Sequence, residues 1–282
     1  MLVHQERQFF VFDLIYAKIL WNYWQGTAMP LDEQTGIWYA DHRDPTIHRT
    51  PVLMIHGAGG THLDWPAELR RMPEANAIIP DLPGHGRSKG PGRSTVDTYA
   101  ADMVALLDLL KLPQVIVLGF SMGGAVAQMM AQTYKTRVAG LILIATGAKL
   151  AIEPALINRL KDDYDSTLPT LINRQWAEPI SEQIKRLSLR RLSEIDPAVV
   201  RGDYQAVNSF DVRDQLRLIQ VPTLIISGTV DSMTPSGYSQ YLHDHIPGSQ
   251  FVQIEGGGHL VALEQPQVVA NTVQTWLMEQ YP

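Results

Sequence analysis

The chain has no cysteine among its 282 residues. Disulfides, thiolate metal sites and a cysteine nucleophile are therefore excluded, and cysteine usage does not reveal the redox compartment. Long apolar runs are also lacking, and none reaches the length of a membrane-spanning helix. Positive charge is sparse: 23 Lys and Arg face 29 Asp and Glu, for a formal net charge of −6. No basic stretch could track a phosphate backbone, so no nucleic-acid partner is expected. The N-terminus lacks a secretory pattern, because Glu6 and Asp13 interrupt the stretch that should be uniformly apolar and no small-residue cleavage site is evident. A cytoplasmic location is the default expectation.

The remaining composition, 45% hydrophobic and 18% charged, is that of a globular domain. The length suits one large α/β domain with a modest insertion. Short β-branched runs alternate with longer helical patterns, which predicts a parallel sheet with helices on both faces. The runs are Pro51 to Ile55, Ala77 to Pro80, Val115 to Leu118, Leu141 to Ala145, Thr223 to Ser227 and Gln250 to Ile254. Most are apolar throughout, as strands buried on both faces should be. Ile37 to Ala40 is more amphipathic and is expected at an antiparallel edge. Helices are expected near Trp65 to Arg71, Val96 to Leu110, Ala125 to Tyr134, Pro235 to His243 and Pro266 to Tyr281, with Thr234-Pro235 as an N-cap followed by proline at the first helical position.

The alternation breaks once. From Ala145 to Thr223 no strand signal occurs, while Leu, Ile, Arg, Lys and Glu recur at helical spacing. Pro154, Pro169, Pro179 and Pro197 are expected to divide this stretch into short helices, one of them starting at Asp196-Pro197. The organisation read from the chain is an N-terminal apolar extension at 1–28, an α/β core at 29–147 and 211–282, and a helical cap at 148–210. Within the extension, Phe9 to Trp24 is dense in aromatic and aliphatic side chains and is read as a helix. The first reading is an extra element packed on the core. The second is a surface for a partner or a membrane interface. The third is coding sequence upstream of a true start at Met29.

Chemistry concentrates at the ends of the strand runs. Gly119-Phe120-Ser121-Met122-Gly123-Gly124 follows one run and opens an Ala-rich helix. A serine between glycines at such a turn can hold a strained backbone and project its hydroxyl clear of the sheet. Side chains at 119 and 123 would clash with the neighbouring strand and helix. Ser121 is therefore the candidate nucleophile. A serine hydroxyl needs a base within hydrogen-bond reach and a third group to orient that base. Asp231 lies just past the Thr223 run, and His259 lies in the glycine-rich loop Glu255-Gly256-Gly257-Gly258-His259 after the last run. Both fall on the same sheet edge as Ser121, where open parallel sheets bind ligands. An oxyanion hole would need two backbone amides. Met122 is expected to supply one and Ala58, in His56-Gly57-Ala58-Gly59-Gly60, the other, with Gly59 as fallback. His56 is read as a brace for that loop rather than a second base. Asp81-Leu82-Pro83-Gly84-His85-Gly86-Arg87-Ser88 is read as a structural loop in which Asp81, Arg87 and Ser88 bond one another and the backbone, because one Asp and one His do not make a metal site.

Together these residues resemble the α/β-hydrolase superfamily, over about residues 29 to 282. The resemblance implies an eight-stranded, mostly parallel sheet with a cap inserted after the sixth strand, and the chain order serine, acid, histidine. Family members often begin near a segment like Met29 to Ile37, which motivates the third reading of the extension. Haloalkane dehalogenases and epoxide hydrolases of this fold carry aspartate where this chain has Ser121, and proline iminopeptidases carry a proline in the oxyanion loop, which residues 56–60 lack. The pattern looks most like small serine carboxylesterases and enol-lactonases. The expected function is cleavage of a small-molecule carboxylic ester or lactone through Ser121, His259 and Asp231 by way of an acyl-enzyme, with no metal and no organic cofactor. The alternatives are a carbon–carbon bond hydrolase and a catalytically slow small-molecule receptor of the same fold.

Overall fold

The computed structural model describes residues 35–282. The apolar extension, with its Phe9–Trp24 segment, lies outside the described residues. Seven strands form one sheet: β1 (Tyr39–Asp41), β2 (Val52–Ile55), β3 (Ile78–Pro80), β4 (Val115–Phe120), β5 (Val138–Ile144), β6 (Thr223–Gly228) and β7 (Gln250–Ile254). Their order is β1-β3-β2-β4-β5-β6-β7. β1 pairs antiparallel with β3 at one edge, and every other pairing is parallel. Each strand matches one run read from the sequence. The eighth strand implied by the family resemblance is not among the described residues, and the sequence holds no further strand run between 35 and 282 that could form it.

The helices are α1 (Ala67–Arg70), α2 (Val96–Leu109), α3 (Met122–Thr133), α4 (Pro154–Asp162), α5 (Tyr164–Gln175), α6 (Glu182–Ser193), α7 (Pro197–Ser209), α8 (Ser236–His245), α9 (Val261–Glu264) and α10 (Pro266–Gln280). The apolar strand runs follow from double-sided burial. Leu53, Ile55, Val117, Leu141, Leu143 and Ile225 join a core cluster with residues of α2, α3 and α8. The intervening Met54, Ile116, Ile142, Ile144, Leu224 and Ile226 are equally buried, and because side chains alternate along a strand they lie on the opposite face. Each such side chain contributes about 1.5–3 kcal/mol on burial.

Between β5 and β6 the chain forms α4 to α7. Its two ends meet where Lys149 bridges Asp211 and the Val212 amide donates to the Ala148 carbonyl. Leu156, Leu160, Leu168, Leu171 and Ile172 build this segment's own core, with Trp176 packed against it. Asp196 caps α7 as expected: its carboxylate accepts the Ala198 amide and Pro197 takes the first helical position. Pro169 does not divide helices as expected but lies inside α5. Its missing N–H removes one bond after the first turn, and burial of Leu168, Leu171 and Ile172 keeps the helix intact.

Candidate active site

At the carboxyl edge of the sheet β4 turns directly into α3, with Ser121 as the single residue between them. Its φ of 51° and ψ of −115° are sterically unfavourable for a residue with a Cβ. Surrounding bonds hold it there. The Ser121 amide donates to the Ile144 carbonyl at 3.0 Å, and the Thr146 hydroxyl donates to the Ser121 carbonyl at 2.8 Å. The flanking glycines are required by space: a Cβ on Gly119 would strike the Gly123 backbone, and one on Gly123 would strike the Ile55 carbonyl.

The loops after β6 and β7 bring Asp231 and His259 to this turn. His259 Nε2 lies 3.0 Å from Ser121 Oγ, and His259 Nδ1 lies 2.9 Å from Asp231 Oδ2. Asp231 and His259 are both buried, while Ser121 is half-buried. Asp231 Oδ1 accepts the amides of Met233 and Thr234 at 2.8 and 2.9 Å. Burial pushes the Asp231 carboxyl up, but the charge and hydrogen bond of His259 and the bonds from Thr234 outweigh it and hold the group below the usual carboxylate range. An ionised Asp231 places the imidazole hydrogen on Nδ1 and leaves the Nε2 lone pair facing the serine hydroxyl. The loop carrying His259 is itself held, since Glu264 accepts the amides of Gly258 and Ala177 at 2.5 and 3.1 Å.

Thr234 departs from its sequence reading. Pro235 occupies the cap position of α8, and the Thr234 side chain makes no cap bond. Its hydroxyl donates to Asp231 Oδ2 at 2.6 Å and lies 3.1 Å from His259 Nδ1. The helix terminus offers only N–H donors to a capping oxygen, whereas the carboxylate takes the hydroxyl hydrogen itself in a charge-assisted bond. Thr234 thus joins Asp231 and His259 in the candidate site, a contact that sequence reasoning missed.

The loop after β2 forms another wall. His56 Nε2 accepts the Leu82 amide at 2.9 Å, and its Nδ1 lies 2.8 Å from the Gly57 carbonyl. Burial and the neighbouring His85 hold His56 down to about 4, so the ring is neutral and braces the loop, in line with its reading. The Gly60 amide donates to the Gly57 carbonyl at 3.1 Å. The Gly59 amide donates to Asp203 Oδ2 at 2.8 Å, which removes Gly59 as the fallback amide. Ala58 has no such acceptor among the described residues and lines the same cleft as Ser121. Met122 is the first residue of α3, where helix geometry offers its amide no intrahelical partner.

The loop 81–88 holds itself together. Asp81 Oδ2 accepts the Arg87 amide at 2.9 Å, Ser88 Oγ donates to the Asp81 carbonyl at 2.6 Å, and His62 donates its amide to Asp81 Oδ1 at 2.7 Å. Among the described residues, no group of three or more His, Cys, Asp or Glu side chains is placed to hold a metal.

The cleft over Ser121 is lined by Phe120 at the end of β4, Met233 in the loop after β6 and Tyr238 of α8, and by Leu150, Ile152, Gln175, Tyr204 and Val207 from the stretch between β5 and β6. The inserted segment therefore shapes the space above the serine, and Tyr204 belongs both to this lining and to the segment's own apolar core. No helix among the described residues is long and apolar enough to cross a membrane.

A serine at a strained strand-to-helix turn after β4, with an acid from the loop after β6 and a histidine from the loop after β7, defines a class. Residues 50–266 match the model of the alpha/beta hydrolase fold, and the chain belongs to that family. It is 29% identical over 235 residues to 3-oxoadipate enol-lactonase 2 of Acinetobacter baylyi, covering 79% of this chain and 87% of the relative. The esterase EaEST of Exiguobacterium antarcticum superposes with a TM-score of 0.78 at 25% identity, covering 86% of this chain and 95% of that one. A thermophilic esterase of Thermogutta terrifontis superposes with a TM-score of 0.77 at 27% identity, covering 87% and 94%.

Proposed function

We propose that the protein is a serine hydrolase of small carboxylic esters or lactones. The observation that carries this reading is the continuous line from Asp231 Oδ2 to His259 Nδ1 at 2.9 Å and from His259 Nε2 to Ser121 Oγ at 3.0 Å, opening onto a cleft. Ser121 Oγ attacks the substrate carbonyl carbon while His259 Nε2 takes its proton. Asp231 keeps the hydrogen on Nδ1 and stabilises the imidazolium that forms. The amides of Met122 and Ala58 receive the oxygen of the tetrahedral intermediate, where developing charge rewards preorganised donors most. His259 then protonates the leaving alkoxide, leaving an acyl group on Ser121. Water, deprotonated by the same histidine, attacks that acyl group and releases the acid. In a lactone the alkoxide stays tethered and the product is a hydroxy or keto acid. The mechanism needs no metal or organic cofactor.

Residues 148–210 act in this reading as a cap that frames the acyl and alcohol sites, with Leu150, Ile152, Tyr204 and Val207 providing apolar surface. The test is turnover of a p-nitrophenyl ester series, acetate to dodecanoate, and of matched lactones by the wild type and Ser121→Ala side by side. The reading expects turnover with a chain-length optimum and its loss by several orders of magnitude in the variant. Near-full activity in Ser121→Ala would overturn it.

A further inference from the structure

Asp203 is fully buried on the inner face of α7, among Val199, Val200, Tyr204 and Val207. A carboxylate in such a place must be paired and hydrogen-bonded. Its Oδ1 accepts the Tyr99 hydroxyl at 2.5 Å. Its Oδ2 accepts the Gly59 amide at 2.8 Å and faces His85 Nε2 at 2.8 Å. The other ring nitrogen of His85 faces the Pro83 carbonyl at 3.1 Å, so both nitrogens meet acceptors and a protonated ring satisfies both. Burial alone would push the His85 imidazole down, but the adjacent Asp203 charge and its hydrogen bond hold it above its ordinary value. Three donors, from the loop after β2, the loop after β3 and α2, thus converge on one side chain of the inserted segment.

Apolar packing would suffice if this node only docked α7. The Gly59 contact points to more. The Ala58 amide belongs to the peptide plane shared with the Gly57 carbonyl, and that carbonyl is held by His56 Nδ1 and the Gly60 amide. Because a trans peptide places N–H opposite C=O, fixing the carbonyl fixes the direction of the Ala58 amide. The next plane along carries the Gly59 amide, and Asp203 holds that one. Ala58 therefore sits between two clamped planes. Gly59 itself has a φ of +62°, and the space a Cβ would need there is filled by Leu192 of α6.

We propose that Asp203 is a positioning residue for the oxyanion hole: reaching from the inserted segment, it clamps the Gly59 peptide so that the Ala58 amide alone is presented to the developing oxyanion. The inference rests on the hydrolase reading above. Without Asp203 the Gly59 peptide is free to turn, and the geometry seen by the transition state loosens while ground-state binding in the cleft changes little.

The experiment compares wild type, Asp203→Ala and Asp203→Asn for kcat and KM on a p-nitrophenyl ester. It adds Ki for phenylboronic acid, which forms an anionic tetrahedral adduct with a nucleophilic serine, and amide hydrogen exchange across residues 56–61. The asparagine variant keeps the side-chain volume and provides a folded comparison if alanine does not. The expected result is a fall in kcat of about 10- to 100-fold, KM within about threefold, Ki raised in step with the loss in kcat/KM, and faster exchange at 56–61. Unchanged kcat in a folded Asp203 variant overturns the proposal, as does a kcat loss with an unmoved boronate Ki, which marks a merely structural role. Exchange that stays at the wild-type rate overturns it whether or not the chain is an esterase. Failure of the hydrolase reading shows separately, as full activity in Ser121→Ala.

Discussion

Thr234 donates its hydroxyl hydrogen to Oδ2 of Asp231 at 2.6 Å, the same oxygen that faces His259 Nδ1 at 2.9 Å. With the two amides on Oδ1, the carboxylate is fixed in rotation as well as position. In the proposed mechanism, the orientation of the general base is thus set by a hydroxyl three residues beyond the acid.

Thr234→Val keeps the shape but removes that donor. Asp231 retains His259 and both amides, so kcat is expected to fall roughly tenfold with little change in KM, and stability to fall by about 1–3 kcal/mol. Steady-state kinetics and a denaturant melt check this. Unchanged kcat in the variant would mean that the hydroxyl has no part in orienting the base.

The turn around Ser121 makes a steric prediction. Gly123→Ala forces a methyl group into the Ile55 carbonyl, and the loss of stability should be about 3 kcal/mol or more. Gly237, in the first turn of α8, has open space around it, and Gly237→Ala should be neutral or stabilise by about 0.5–1 kcal/mol. Urea midpoints of the two variants decide the matter, and similar midpoints would show that the close approach of α3 to β2 is wrong.

His56 makes stability depend on pH in a defined window. Its folded value is about 4, whereas in the unfolded chain it returns to 6.5. Between those values the unfolded chain binds a proton that the folded one does not, so stability falls as the solution is acidified, by about 3 kcal/mol in all. The raised His85 acts elsewhere: its contribution is complete below 6.5 and lost as pH rises through its folded value. The depressed Asp81 and Asp231 contribute stability present above about 3.8, which is lost on further acidification through their folded values. His56→Gln should therefore flatten the stability profile between pH 6.5 and 4 and leave the steeper acid limb in place. A profile parallel to wild type across that window would refute the neutral brace.

Much of this was legible in the chain because it is written in local patterns. Short β-branched runs, most of them apolar throughout and one amphipathic, marked all seven strands of the described residues, and the glycines around Ser121 marked a turn that needs them. Asp231 and His259 stood out as candidates because strand ends of a parallel sheet share an edge, and the structure brings both to Ser121. What was missed depends on partners distant in sequence. Thr234 precedes a proline, which reads equally as a helix cap, and only the position of Asp231 Oδ2 decides otherwise. Asp203 meets Tyr99 and Gly59 across separations of 104 and 144 residues. Its one local signal is an acid on the apolar face of α7, at helical spacing from Val199, Val200 and Val207. Glu264 likewise bonds amides 87 and 6 residues away. Pro169 misled for the converse reason, since tertiary burial outweighed a local helix breaker.

The most direct test of the central claim is covalent. The wild type and His259→Ala would be treated with a fluorophosphonate and followed by intact mass and peptide mapping. The account predicts a single phosphonyl group on Ser121 of the wild type, formed rapidly, and labelling slowed by orders of magnitude without the histidine. No adduct, an adduct on another residue, or equal rates in the two proteins would contradict it.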